Sequence, residues 1–157
     1  MPILPSRLLR PKTVTLLVGT ENALQAALAG ALREQSGDIH YICRRVPHLL
    51  PAREPELSER VRVVRAGDAG ALAYTVRRSR QSLVVIECDP GYLVNDRAVR
   101  TVADTCRDRA CRGNAAVLLL AAGMDDMLRK LAIDRVLAVE EPHVRLQQLP
   151  LPGIRTG

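Results

Sequence analysis

The chain predicts a single α/β domain: a three-layer sandwich in which a mainly parallel sheet of about six strands lies between two layers of helix. Three observations carry this expectation. Short apolar runs rich in Val, Ile and Leu alternate with helical patterns along the chain. The runs SLVVIECD at 82–89 and AAVLLLAAG at 115–123 are apolar without alternation, which marks strands covered on both faces. A length of 157 residues at 47% hydrophobic content is enough for one real core.

After a proline-bounded lead-in at 1–12, the first strand is TVTLLV at 13–18. A helix follows from about Thr20 to Glu34, with Leu24, Leu28 and Leu32 on one face. DIHYICRR at 38–45 is the second strand and ends in the proline-rich loop VPHLLPAREPELSE. The third, RVRVVRA at 60–66, carries Arg60, Arg62 and Arg65, charges that suit a solvent-facing edge beyond the second strand. A short helix begins near Asp68 and turns Leu72 and Val76 inward. The fourth strand leads to a helix from near Asn95 to Arg112, with Val99, Val102, Cys106 and Ala110 on one stripe and Gly113 as its stop signal. The fifth strand precedes the acidic-capped helix MDDMLRKLA, the sixth is DRVLAVEEP at 134–142, and HVRLQQLPL reads as a hairpin return beside it. The domain therefore spans 13–147, and 148–157 is a tail.

The formal charge is +6, from 21 arginines and two lysines against 17 acidic residues. With no Phe or Trp, and only Tyr41, Tyr74 and Tyr92 as rings, the sheet lacks the aromatic platforms that stack bases. Phosphate contacts without base readout remain open to the arginine clusters, notably Arg77, Arg78 and Arg80 and, on the long helix, Arg107, Arg109 and Arg112. The same arginines suit contacts to a protein partner. No apolar run approaches a membrane span, and the N-terminus is too short and proline-broken for a signal peptide, so a cytoplasmic protein without membrane partners is expected. Its cysteines then read as thiols, with Cys43 and Cys88 inside strands as small hydrophobes. Cys106 and Cys111 stand about 140° apart around one helix, which does not suit a shared metal, and no metal site is expected.

In an open parallel sheet, ligands sit at the carboxyl ends of the strands. That rule selects the turn at Gly19, Thr20 and Asn22, and the strand end carrying Glu87 and Asp89. A phosphate loop needs several backbone N–H groups, a Lys and a Ser or Thr. VGTENAL has one Gly, no Lys and no Ser or Thr following a Lys position, and Glu21 opposes an anion at the helix start. Thr20 and Asn22 read as helix caps, and Asp89-Pro90-Gly91 as a turn. Glu87 closes an apolar run, so partial burial is expected. His40, His48 and His143 form no constellation, no nucleophile elbow is present, and the thiolate of Cys88 is disfavoured by its acidic neighbour. No catalytic residues and no cofactor are expected.

LLVGT, DIHYIC, SLVVIECDPGYL, the long helix, AAVLLLAAGMDD and LAIDRVLAVEEPHVRL follow one another in an order that resembles the RecA/KaiC-type ATPase core, over about residues 13–147. The resemblance puts Gly19 and Thr20 in the position of the phosphate loop and Glu87 in that of the Walker B acid, with no counterpart of the loop Lys and Ser/Thr. It implies a degenerate member without ATPase activity, a pseudo-ATPase whose vestigial anion site is Gly19, Thr20, Asn22, Glu87 and Asp89. Its expected role is a regulatory or scaffolding subunit in DNA repair, replication, cell division or signalling. It would contact another protein or a second copy of itself, with a homodimer the expected form. RecA-like strand order further implies that 115–123 pairs with both 13–18 and 82–89, with 61–65 at the edge. Two other readings accompany it: a nucleic-acid-associated accessory protein neutralising phosphates with its arginines, and a receiver-like or ligand-sensing domain. The receiver reading lacks the acidic pair after the first strand and the Lys after the fifth.

Overall fold

A run such as AVLLLA offers water nothing, and the fold gives it two covered faces and two paired edges. The computed structural model of the chain describes residues 9–35, 37–50, 59–131, 133–140 and 145–149. The expected lead-in through residue 8, the loop segment 51–58, His143 and the tail from 150 lie outside the described residues. In chain order the elements are β1 (Thr13–Gly19), α1 (Glu21–Glu34), β2 (Ile39–Cys43), β3 (Val61–Arg65), α2 (Ala69–Arg78), β4 (Leu83–Glu87), a 3-10 turn at Pro90–Tyr92, α3 (Asp96–Arg112), β5 (Ala116–Ala121), α4 (Asp126–Arg129), β6 (Arg135–Glu140) and β7 (Arg145–Leu149).

The sheet order is β3-β2-β4-β5-β1-β6-β7, parallel from β3 to β6 and closed by antiparallel β7. All six residues of β5 are buried, and the strand pairs with β1 (Val14↔Val117) and β4 (Val84↔Val117), as its composition requires. At the other extreme β3 is the edge, paired among the described residues with β2 alone, and its Arg62 and Arg65 are exposed. Strand alternation divides the core in two. Leu17, Tyr41, Val85, Leu118 and Leu120 pack under Leu24, Leu28 and Leu32 of α1. Leu16, Ile42, Ile86, Val117 and Leu119 pack under Val76 of α2 and Val99, Val102 and Cys106 of α3. Among the described residues no helix is long and apolar enough to cross a membrane.

The caps are local chemistry. Thr20, Asp68, Asn95 and Asp125 each accept from the backbone N–H three residues on, at 2.8–3.2 Å, and so start the four helices. The end of α1 has no glycine. Instead Arg60 reaches back across the sheet edge and donates to the carbonyls of Leu32 (3.1 Å), Gln35 and Gly37 (3.3 Å). The sequence groups Arg60 with the charges of the edge strand; it stands just before β3 and serves a helix terminus. Gly113 does end α3, but the left-handed residue is the next one, Asn114 (φ 51°). Gly113 is small for another reason: a Cβ there would overlap the guanidinium of Arg109, which is buried and bonded to Gln81 O. Cys88, expected inside a strand, lies one residue past the end of β4.

Candidate functional site

The carboxyl ends of β2 and β4 adjoin, and Glu87 is the last residue of β4. It shares the α1 face with Tyr41, whose hydroxyl donates to Glu87 Oε2. The backbone N–H groups of His48 (2.9 Å) and Leu49 (3.2 Å), in the loop after β2, donate to the same oxygen, and His48 N–H also reaches Oε1 (3.2 Å). Glu87 is only 7% exposed. Its carboxylate is thus engaged in fixing the start of the proline-rich loop to the sheet, with Oε2 filled by three donors. Burial, and then the hydrogen bond to Glu87, push the Tyr41 phenol far above its ordinary range, so it stays a donor.

Asp89 accepts from Gly91 N–H (2.8 Å), which caps the 3-10 turn, and lies 3.5 Å from Nη1 of Arg44. Arg44 also donates from Nε to Gly67 O (3.0 Å), so one guanidinium ties together the loops after β2, β3 and β4. Gly19 is explained by packing: a Cβ there would stand 2.7 Å from the carbonyl oxygen of Val139 on β6. Thr20 caps α1, and Asn22 is an exposed first-turn residue. A cleft of about 200 Å³ holds Glu87 and Asp89 together with Glu21, Arg44 and His48. Gly19, Thr20 and Asn22 do not line it, although Glu21 of the same turn does. Cys88 lies beside these loops, and its thiol is pushed up chiefly by burial and then by Cys106, Asp125 and Asp89, rather than by Glu87 as its sequence neighbourhood implied.

The arginines gather at the opposite end, where the strands begin. Arg77, Arg80, Arg109 and Arg112 line a cleft of about 270 Å³. Arg78 and Arg80 line a second one of about 420 Å³ with Arg62 and His40, and the two clefts share Ser79 and Arg80. Arg107 is apart from both, 4.0 Å from Asp104 in a cleft that also contains Asp96 and Lys130. Arg109 is not a surface group: it is 5% exposed and donates from Nη2 to Gln81 O (2.7 Å). Arg112 is paired with Asp108 at 2.9 Å. Sequence reasoning did not join His40 and Arg62 to the arginines after α2. The parallel register of β2 and β3, which sets His40 beside Arg62, was the signal that could have done so. Compared with protein-family models and with curated proteins, the chain matches none.

Proposed function

We propose that the chain is a non-catalytic RecA/KaiC-like domain that works in the cytoplasm as a regulatory or scaffolding subunit through contacts with another protein or a second copy of itself. The observation that carries the reading is the engagement of Glu87. The acid that a nucleotide hydrolase of this layout would keep open to a metal-bound water is here buried and held by Tyr41, His48 and Leu49. The other residues at that end serve the fold as well. Gly19 accommodates Val139, Thr20 caps α1, and Asp89 caps the turn and pairs with Arg44. Contact surface is available on the rim they leave. Val46 and Val94, 49% and 67% exposed, stand in the loops after the neighbouring strands β2 and β4.

Two measurements on the purified chain test this. Light scattering across a concentration series, with cross-linking in cells, is expected to report a dimer or a discrete partner, weakened by Val46→Asp or Val94→Asp. ATP turnover is expected at background. Turnover above background that Glu87→Gln abolishes overturns the reading, as does a monomer at every concentration with no partner recovered.

A further inference from the structure

We propose that the cleft between α2 and the edge strand β3, floored by His40 and Ser79 and flanked by Arg62, Arg78 and Arg80, binds a protonatable phosphate group, either inorganic phosphate or a phosphomonoester. This goes beyond the function proposed above and does not depend on it.

Charge is the first argument. Three guanidiniums border one cleft of about 420 Å³, and among the described residues no acidic side chain lines it and none of the three forms an ion pair. Like charges so placed repel one another, and an anion between them reverses that cost. Arg78 is further steadied over the ring of Tyr74, 5.1 Å from its centroid, at the mouth of the cleft.

The second argument is the hydrogen-bonding state of His40, which is independent of the arginines. His40 is 7% exposed, and its Nε2 has no partner among the described residues. Ser79 Oγ–H donates to Gln81 Oε1 (2.9 Å), whose orientation is set by the Arg80 N–H it also accepts (3.1 Å). Ser79 Oγ must then accept from His40 Nδ1–H, at 2.9 Å. This relay fixes the tautomer and leaves Nε2 as a bare acceptor. Burial, with the guanidiniums of Arg62 and then Arg109, keeps the imidazole neutral by lowering its pKa.

A site with three cationic donors and one buried acceptor calls for an oxyanion that also carries a hydroxyl. Inorganic phosphate holds a P–OH in both of its forms near neutrality, and a phosphomonoester, with a second pKa of about 6, holds one in its monoanion. Sulfate and the phosphodiesters of a nucleic-acid backbone hold none. The predicted contacts are P–O⁻ with the arginines and P–OH donating to His40 Nε2.

The test is calorimetry and NMR of the His40 ring at neutral pH, titrating the full chain with inorganic phosphate, phenyl phosphate, sulfate, and an oligonucleotide lacking terminal phosphates. Saturable one-to-one binding of phosphate or phenyl phosphate is expected, with the His40 ring nitrogens shifted and sulfate several-fold weaker. The exposed Arg62→Gln and Arg80→Gln changes should each weaken binding about tenfold while leaving the spectrum folded. Binding of inorganic phosphate alone would assign the free ion; binding of phenyl phosphate as well would assign a monoester. Three results overturn the proposal: no saturable response to either, sulfate equal to phosphate, or the oligonucleotide binding as tightly with the same dependence on Arg62 and Arg80. The last would make the cleft part of a backbone-tracking surface.

Discussion

Tyr41 on β2 donates its hydroxyl to Glu87 on β4, and this bond between neighbouring parallel strands decides how the carboxyl end of the sheet is organised. The carboxylate so oriented gathers the amides of His48 and Leu49, and the loop after β2 is fixed by an acid 38 and 39 residues further along the chain. Tyr41→Phe keeps the ring and removes one donor from a buried carboxylate, an expected loss of about 1–3 kcal/mol in urea unfolding. Glu87→Ala strands the hydroxyl and both amides and should cost more. Equal stability of Tyr41→Phe and the native chain would show that the pair does not hold the loop.

Arg60 supplies the missing cap of α1. Arg60→Met retains most of the aliphatic stem and should cost about 1–2 kcal/mol, with faster amide exchange confined to the segment that follows Leu32. Arg60→Lys is not expected to restore protection, since an ammonium cannot span several carbonyls as a planar fork does. Unchanged exchange in either variant would contradict the capping role.

Gly19 tests packing against phosphate binding as the reason for a glycine after β1. Gly19→Ala brings a methyl to 2.7 Å from the Val139 carbonyl oxygen, a backbone atom that cannot move alone. The expected result is a loss of about 1–3 kcal/mol and increased exchange in β6, with no change in any anion affinity. A variant as stable as the native chain would show that the strands part easily here.

His40 should make stability depend on pH. Its folded-state pKa lies below the ordinary 6.5, so as pH falls the unfolded chain takes up the proton first. The native state therefore keeps its full stability above that value and loses stability as pH falls below it. In phosphate-free buffer, unfolding free energy is expected to fall between neutral pH and pH of about 5 by more in the native chain than in His40→Gln. Parallel curves would show that His40 titrates alike in both states.

Much of the fold was legible because its signals are local. The unbroken apolarity of β5 and the charges at Arg62 and Arg65 placed the centre and the edge of the sheet, and Thr20, Asn95 and Asp125 announced their helices. The candidate site was legible only in part. Glu87 at the end of an apolar run pointed to burial, but two of its partners are backbone amides, which carry no side-chain signature, and the third is 46 residues away. Arg109 could not be told from its exposed neighbours, since its burial depends on the carbonyl of Gln81 and on the space Gly113 leaves. The capping by Arg60 was hidden for a similar reason: a charge beside a strand does not reveal which helix end lies within reach.

The two ends of the sheet differ in kind. Where the strands finish, Glu87 is bonded and Asp89 faces Arg44; where they begin, Arg62, Arg77, Arg78 and Arg80 have no ionic partner among the described residues. Among the described residues, the cationic surplus of a chain with net charge +6 is concentrated at one end of the sheet. Those unpaired guanidiniums draw anions to the strand beginnings, a pull that salt weakens, while Val46 and Val94 stand exposed at the other end of the sheet.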